Sequence, residues 1–221
     1  MVHDDGTAEL LCGDKTILLD AADVDTTSKY QWVVGLHGYA THGAGKKQIL
    51  MHRLLTGCSN NDTVDHINRN RLDNRRSNLR VCTRTENAMN KPRLSKGQNP
   101  YKGICLCPDG MWQAQITLDG KAIYLGRSRD PVTAAKAYDT AARVIYGEFA
   151  YLNFPDSEDS VLLPTKQVTR LKRDDVNSIR ILHQRGMSIK QIAQIYDHSY
   201  SSISRIVRNR SFKVEVGSCN P

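Results

Sequence analysis

The sequence is poor in aromatic residues and contains no long apolar run. Aromatic residues make up 6% of the 221 residues and hydrophobic residues 39%, which argues against one large core. The apolar runs fall far short of the roughly 18 residues of a membrane-spanning helix. The first stretch, MVHDDGTAEL, is acidic and lacks the apolar segment of a signal peptide. We therefore expect one or two compact domains, or several small modules.

The six cysteines lack a recognisable pattern. They stand at positions 12, 58, 82, 105, 107 and 219, without a C-x-x-C pair and without the paired spacing of a zinc site. We expect reduced thiols in an intracellular protein.

Positive charge is abundant and unevenly placed. The formal net charge is +8. Residues 64–93 carry eight basic and three acidic side chains, and residues 166–213 carry eleven and three, whereas residues 99–154 are nearly neutral. Two separate basic zones favour a polyanionic partner, either nucleic acid or an anionic surface.

Two stretches look like linkers and divide the chain. They are KPRLSKGQNP (91–100) and PDSEDSVLLPTKQ (155–167), which are rich in Pro, Ser and charge. The fold class we predict is a multi-module α+β protein. Its predicted parts are a first domain 1–93, a linker 94–100, a second domain 101–154, a linker 155–167 and a third domain 168–213.

The first domain begins with short β-like runs. They are KTILLD, YQWVVG, GYATH and KKQILMHRLL, separated by Gly, Asp and Ser. His52 lies in the last run, and the sequence leaves open whether it is a structural histidine or a ligand.

The second domain has the pattern of three strands and a helix. Asp-Gly at 119–120 lies between alternating runs and predicts a hairpin. In MWQAQITL, Gln113, Gln115 and Thr117 share the face opposite the apolar residues. Asp130, Pro131 and Gly147 suit the cap, the first position and the exit of one helix. The polar sheet face is either solvated or a docking surface.

The third domain has the pattern of three short helices. Ile189, Ile192, Ala193 and Ile195 form one apolar face, and Ile203, Ile206 and Val207 form another. Small Ala193 allows two helices to cross closely, as in a helix-turn-helix. A plain three-helix bundle is the alternative. The outward-facing residues expected to bind DNA are Tyr200, Ser201, Arg205 and Arg208.

The stretch TVDHINRNRLDNRRSNL (63–79) places Asp65 beside His66 at the end of a short run. Hydrolysis of a phosphodiester requires a water that loses its proton, and a charge that offsets the phosphate and the leaving oxygen. A neutral histidine takes a proton near neutral pH, and a divalent ion supplies the charge. Adjacent strand residues point to opposite faces, so Asp65 and His66 can serve these two roles separately.

The stretch VDHINRNRLDNRRSNLRVCTRTENAMNK, with HRLLTG upstream, resembles the HNH homing endonucleases. The resemblance implies a ββα-metal finger, built on the β-rich N-terminal part, with His66 as general base and Asp65 as metal ligand. It implies that Asn78 steadies the loop and backbone around His66. It also implies that Asn87, in place of the founding histidine, supplies a side-chain oxygen to the metal.

The same resemblance bears on the cofactor and on the loop. An amide oxygen is a hard ligand, so one Mg²⁺ or Mn²⁺ ion is expected rather than Zn²⁺. Asn68, Asn70 and Asn74 are assigned to the loop without a chemical role. The side chains expected to hold phosphates are Arg69, Arg71, Arg75 and Arg76.

Residues 101–154 resemble the plant ethylene-response-factor (ERF, Apetala-type) DNA-binding domain, through YKGI, WQAQI, YLG, AAKAYDTAARVIYG and LNFP. That resemblance implies that the three-stranded sheet lies in the major groove of DNA. The DNA-binding residues predicted here are Lys102, Gln113, Gln115, Thr117, Lys121 and Tyr124. Residues 170–210 resemble a generic helix-turn-helix, through SIKQIAQIYDHSYSSISRIV.

The sequence therefore predicts a metal-dependent, site-specific DNA endonuclease that acts on double-stranded DNA as a monomer. The expected location is the cytoplasm of a bacterial host, with the gene carried by a phage or an intron. One alternative is a DNA-binding regulator with a vestigial, non-cleaving finger. A repair or resolving nuclease that reads DNA shape is another, and two sequence-reading modules argue against it.

Overall fold

A computed structural model of the chain describes residues 1–43, 48–93, 99–163, 171, 173–196 and 198–208. The fold is mixed α+β with several small antiparallel sheets, as the sequence predicts. The chain divides into two compact units, Met1–Lys91 and Pro92–Pro221. Among the described residues, no helix has the length and apolar character needed to cross a membrane.

Parts of the predicted domain organisation fall outside the described residues. These parts are 94–98 of the first predicted linker, 164–167 of the second, and 168–170, 172, 197 and 209–213 of the third domain. The boundary between the two units lies next to the predicted end of the first domain at residue 93. The division of the rest into two domains stays a prediction.

The first unit is built from short strands and helices. Its strands are β1 (Thr7–Cys12), β2 (Lys15–Asp20), β3 (Val33–Val34), β4 (Ala40–His42), β5 (Ile49–Leu50), β6 (Thr63–His66) and β7 (Leu79–Cys82). Its helices are α1 (Val24–Thr27), α2 (Met51–Thr56) and α3 (Arg84–Met89). Strands β1 and β2 form one hairpin, β3, β4 and β5 a three-stranded sheet, and β6 and β7 an antiparallel pair. A buried apolar cluster, which includes Ile17, Met51 and Val64, holds these elements together.

One predicted β-like run is helical in the structure. Among the described residues of KKQILMHRLL, Ile49 and Leu50 form strand β5 and the residues from Met51 onwards belong to helix α2, whereas positions 46 and 47 lie outside the described residues. The prediction was wrong because Met, Leu and Arg are strong helix formers and Gly57 ends the run in the left-handed conformation, at φ 62°. The helix buries Met51, His52 and Leu55 on one side.

The second unit begins with a three-stranded antiparallel sheet and a helix. The strands are β8 (Ile104–Leu106), β9 (Trp112–Leu118) and β10 (Lys121–Ser128), with β9 in the centre, followed by α4 (Pro131–Tyr146). Asp119 and Gly120 both have positive φ and form the predicted turn. Asp130 caps α4 by accepting from the backbone N–H of Val132 and Thr133, as predicted.

Three more helices follow in this unit: α5 (Arg173–Gln184), α6 (Ile189–Tyr196) and α7 (Tyr200–Val207). They share one continuous buried cluster with the sheet and α4. Met187 and Ile195 face Leu125 and Ala141 across a small apolar cavity. Leu163, which follows α4 in the chain, belongs to the same cluster and is 5% exposed. The sheet and the three helices are therefore parts of one packed body.

Gly103 allows the chain to approach helix α4 closely. Its φ is +80°, and a Cβ placed there would lie 1.8 Å from the Tyr138 ring. We expect Gly103→Ala to destabilise the second unit by about 2–5 kcal/mol, from the clash and the left-handed backbone together. Gly110→Ala is the matched control, because Gly110 has φ +77° but open space around it. Urea unfolding of both variants tests this, and equal losses would contradict the close approach.

Candidate functional site

Strand β6 carries the two residues on which the predicted chemistry depends. Asp65 and His66 are its last residues, and both are buried. They pair with Arg80 and Leu79 of β7. Because successive strand residues point to opposite faces, the two side chains have different surroundings.

His66 lies in a cluster of rings. Its ring centre is 5.1 Å from that of His52 and 5.9 Å from that of Tyr39. His66 Nε2 lies 3.4 Å from Asn74 Oδ1. Burial lowers the pKa of His66 below its ordinary value, although Asn74 and the nearby carboxylates partly oppose this shift. The lowered pKa favours the neutral form of the His66 ring at physiological pH.

His52, whose role the sequence left open, is a buried member of the same cluster. Burial, with the nearby His66 and Arg53, lowers the pKa of His52 to about 3. Its Nδ1 is buried and has no hydrogen-bond partner among the described residues. His52 is thus a neutral member of the ring cluster around His66.

Asp65 is held from two sides. The Arg80 guanidinium donates to Oδ2 through Nε at 3.0 Å and Nη2 at 2.6 Å. The Asn90 amide donates to both carboxylate oxygens, at 3.2 and 3.0 Å, and also to the backbone carbonyls of His66 and Ile67. Asn90 therefore ties helix α3 to the end of β6.

Asn78 fixes the start and the end of the loop between β6 and β7. Its Oδ1 accepts from the Asn68 N–H at 2.9 Å, and its Nδ2 donates to the Asp73 carbonyl at 2.7 Å. The Ile67 N–H donates to the Asn78 carbonyl. The loop leaves the strand directly after His66, so these bonds restrain the backbone beside that residue.

The sheet of the second unit has one polar face, as the alternation of β9 predicts. Ala114, Ile116 and Leu118 are buried, and the residues between them point away from the core. Cross-strand pairing arranges the outer face in rows, Cys105–Gln113–Arg127, Gln115–Tyr124 and Thr117–Ala122. Lys121 begins β10 opposite Leu118, in the register of the buried residues, with its side chain exposed.

Lys102 is fixed by its backbone. The Lys102 N–H donates to Asn153 Oδ1 at 2.7 Å, and Asn153 Nδ2 donates back to the Lys102 carbonyl. Asn153 also donates to the buried carboxylate of Asp139. Burial lowers the pKa of Lys102 to about 8. An anion near the Lys102 ammonium would stabilise its charged form and so oppose the effect of burial.

Helix α7 presents polar residues opposite its buried face. Ile203 and Ile206 are buried, whereas Tyr200 is 57% exposed. Ser201, Arg205 and Arg208 are also exposed. Ser199 caps the helix by accepting from the Ser202 N–H. The four predicted DNA-binding residues of this helix are thus accessible.

Comparison with known proteins decides the family. A family model described as HNH endonuclease matches residues 46–89, and one described as helix-turn-helix domain matches residues 168–210. An uncharacterized HNH endonuclease of Acanthamoeba polyphaga mimivirus is 32% identical over 133 residues, which cover 57% of this chain and 68% of that protein. The chain belongs to the HNH endonuclease family. The predicted HNH part and helix-turn-helix part are confirmed.

The middle part of this HNH endonuclease is similar to plant proteins. An ethylene-responsive transcription factor of Arabidopsis thaliana is 42% identical over 67 residues, 29% of this chain and 36% of that protein. An AP2/ERF and B3 domain-containing protein of Oryza sativa subsp. japonica is 42% identical over 60 residues, 27% of this chain and 16% of that protein. The predicted ERF-type composition is confirmed, although the chain covers only a small part of either relative.

Two side chains of the first unit, Asp65 and Asn87, offer oxygen atoms of the kind that suits a hydrated hard cation. Among the described residues Asp65 Oδ1 accepts a hydrogen bond only from Asn90, at 3.2 Å, which leaves one of its lone pairs for a cation. Asn87 lies on α3, half-buried, and its side chain makes no hydrogen bond within the described residues. No group of three His, Cys, Asp or Glu side chains suited to a metal occurs in that part of the chain. A carboxylate and an amide fit Mg²⁺ or Mn²⁺, which keep several waters, better than Zn²⁺.

The four loop arginines differ from one another. Arg75 and Arg76 are paired with the buried carboxylates of Asp73 and Asp23, each at 2.7 Å. Arg71 donates to the His37 carbonyl and lies over the Tyr39 ring. Arg69 has φ 65°, in the left-handed region. The structure gives Arg75 and Arg76 a role in the fold through these ion pairs. The phosphate contacts of all four arginines stay a prediction.

The sequence analysis gave no functional role to four residues that lie at the candidate site or on the outer face of the sheet. Asn74, Arg80 and Asn90 contact His66 or Asp65, and Arg127 lies on the outer sheet face, paired with Asp109 at 2.7 Å. The dense asparagines of 68–78 were a signal of a structured loop. Which of them points inward depends on tertiary packing.

Proposed function

We propose that this protein is a metal-dependent, site-specific DNA endonuclease of the homing type. The observation that carries the proposal is the end of β6. There a neutral, buried His66 and a fixed Asp65 carboxylate occupy neighbouring positions on opposite strand faces. The strands β6 and β7 followed by α3 have the order of a ββα-metal finger.

His66 acts as general base in the proposed reaction. Its neutral ring accepts the proton of the attacking water, and the neutral His52 beside it adds no charge that would oppose this. Asn78 restrains the loop behind it. Asp65 and Asn87 would hold the divalent ion. When bound, that ion offsets charge on the phosphate and stabilises the leaving oxygen.

The second unit supplies sequence recognition. Its outer sheet face offers amide and hydroxyl groups, and α7 offers exposed Arg and Tyr side chains. These groups suit base edges and phosphates in the major groove. The similarity to proteins named ethylene-responsive transcription factors supports this role for the sheet. A reading unit is needed because each recognised base pair supplies only about 1–3 kcal/mol of discrimination.

We further propose that a monomer binds an extended, asymmetric site and cuts to one side of the reading unit. One finger carries one base, so a monomer cuts one strand per event. A symmetric dimer would instead read two half-sites about one helical turn apart. The cytoplasm of a bacterial host, and a gene carried by a phage or an intron, complete the proposal.

The experiment that tests the function uses the full chain and the DNA that flanks its own gene. The DNA is incubated with Mg²⁺ or Mn²⁺, with a chelator as the blank, and the ends are mapped on each strand. We expect metal-dependent cuts at one position. Tight binding without cuts in either metal would favour the non-cleaving regulator instead. Cuts on both strands within a palindromic footprint would contradict the monomer and the nick.

Metal dependence separates the two proposed ligands. We expect Asp65→Ala to lose more than ~10²-fold in rate, since a divalent ion contributes several kcal/mol. Asn87→Ala should lose less and recover in part at raised Mn²⁺, because water can replace one neutral oxygen. Thr85→Ala, at an exposed position of the same helix, is the control. Titration of rate against metal decides, and an Asn87 variant with wild-type metal dependence would argue against ligation.

A further inference from the structure

The two ring nitrogens of His66 have different surroundings. Nε2 lies 3.4 Å from Asn74 Oδ1, and both side chains are buried. An amide oxygen only accepts hydrogen bonds, so in this arrangement Nε2 carries the proton of the neutral ring. The lone pair is then on Nδ1. The identity of the basic nitrogen therefore depends on which end of the Asn74 amide faces the ring.

Asn74 is fixed in place by the first hairpin as well as by its own loop. Its side chain is fully buried, and its backbone N–H donates to the Leu18 carbonyl of β2 at 2.7 Å. The Leu18 N–H donates in turn to the Leu72 carbonyl at 2.8 Å. Asp73, between them, forms a parallel bridge with Leu18. Strand β2 thus holds the Asn74 oxygen against His66.

The amide nitrogen of Asn74 makes no hydrogen bond that would stabilise the fold within the described residues. Nδ2 is buried without a hydrogen-bond partner among the described residues. A buried, unpaired amide N–H is unfavourable, and an apolar side chain of similar size would fill the same space without that cost. The bond that Asn74 does make is the one to His66. We infer that the asparagine at this position serves its contact with His66 rather than the packing of the loop.

We propose that Asn74 is the positioning residue that sets the tautomer of His66, with the proton on Nε2 and Nδ1 as the nitrogen that accepts the proton of water. This rests on the proposed function of His66 as general base. Asn74 touches neither the water nor the DNA in this role. The first hairpin, which carries no predicted catalytic residue, thereby contributes to catalysis through Leu18 and Asn74.

The test reads the tautomer directly. The full chain, with ¹⁵N-labelled histidine and no metal, is studied by two-bond ¹H–¹⁵N NMR at a pH well above the ordinary histidine pKa. The His66 signals are assigned by their loss in His66→Gln. We expect the Nε2–H tautomer in the wild type and in Asn74→Asp, which keeps an acceptor oxygen. Asn74→Leu should show mixed tautomers and lose ~10²-fold in cleavage rate, the lower end of general-base contributions.

The control and the contrary outcomes are distinct. Asn70→Leu removes an asparagine of the same loop whose side chain accepts from the Leu72 N–H and makes no other hydrogen bond among the described residues. It should leave the His66 tautomer unchanged. An Nδ1–H tautomer in the wild type would overturn the proposal even if Asn74→Leu fails to fold. A folded Asn74→Leu with wild-type tautomer and rate would overturn it too. A failure of the general-base role would give a different result. His66→Ala would then still cleave DNA, while the wild type would still show the expected tautomer.

Discussion

Replacing His66 with alanine is expected to reduce the rate of DNA cleavage by about 10²–10⁴-fold, the usual contribution of a general base. The Kd for DNA should change little, because a base acts on the water and need not contribute to binding in the ground state. The ring lies within a neutral, buried cluster, so no charge for phosphate binding is lost with it.

Single-turnover cleavage and equilibrium binding, measured on the same DNA, separate these two effects. His37→Ala is the matched control in the same unit, because His37 is exposed and only its backbone carbonyl bonds to Arg71. A rate within a few-fold of wild type would remove His66 from the role. Equal losses of rate and affinity would instead indicate that the histidine supports the shape of the DNA-binding surface.

The elements that the sequence predicted well have local signals. The alternation of β9, the Asp-Gly turn and the capped ends of α4 are each specified within a few residues. The run KKQILMHRLL has no such clarity, because a short apolar run suits a strand or a helix equally. Its second half became α2, whose buried face completes the core of the first unit.

Arg127 shows how one irregular residue defeats a periodic pattern. Ala122 and Tyr124 lie on the outer face of β10, so strict alternation would turn Arg127 towards the core. The register shifts between Tyr124 and Gly126, and Gly126 has φ 110°. This bulge places Arg127 opposite Gln113, on the outer face. Nothing in the alternation of the sequence marks that shift.

The candidate site divides in the same way. Asp65 and His66 were identified from their adjacency and the pattern that follows them, which are properties of the sequence. Arg80 contacts Asp65 from the neighbouring strand β7, and Asn90 contacts it from the end of α3. Asn74 is held beside His66 by the hydrogen bond between its backbone and β2. These contacts join residues that only the folded unit brings together. The same is true of Arg76, whose partner Asp23 lies 53 positions away.

Ending the chain at residue 157 is expected to leave the first unit folded and able to cut, but to destabilise the sheet that we propose reads DNA. The lost residues include Leu163, Met187 and Ile195, which belong to the same buried cluster as the sheet and α4. The Arg185 guanidinium, also lost, donates to the Ile145 carbonyl of α4. Removing one such apolar side chain costs about 2–5 kcal/mol, and a whole domain has only about 5–15 kcal/mol of stability.

A point substitution isolates this effect from the loss of DNA contacts. Ile195→Ala should lower the melting temperature of the second unit and weaken specific binding, while Lys190→Ala, at an exposed position of the same helix, should not lower that temperature.

In the truncated chain the loss of phosphate contacts should also reduce the slope of log affinity against log salt, by about 0.9 per contact. Melting curves, salt titrations and cleavage of variant sites measure the three effects. If the truncated chain melts and discriminates between sites like the full chain, the helices do not support the sheet. A changed melting temperature with an unchanged salt slope would mean that the helices stabilise the sheet without touching DNA, because only the loss of phosphate contacts changes that slope.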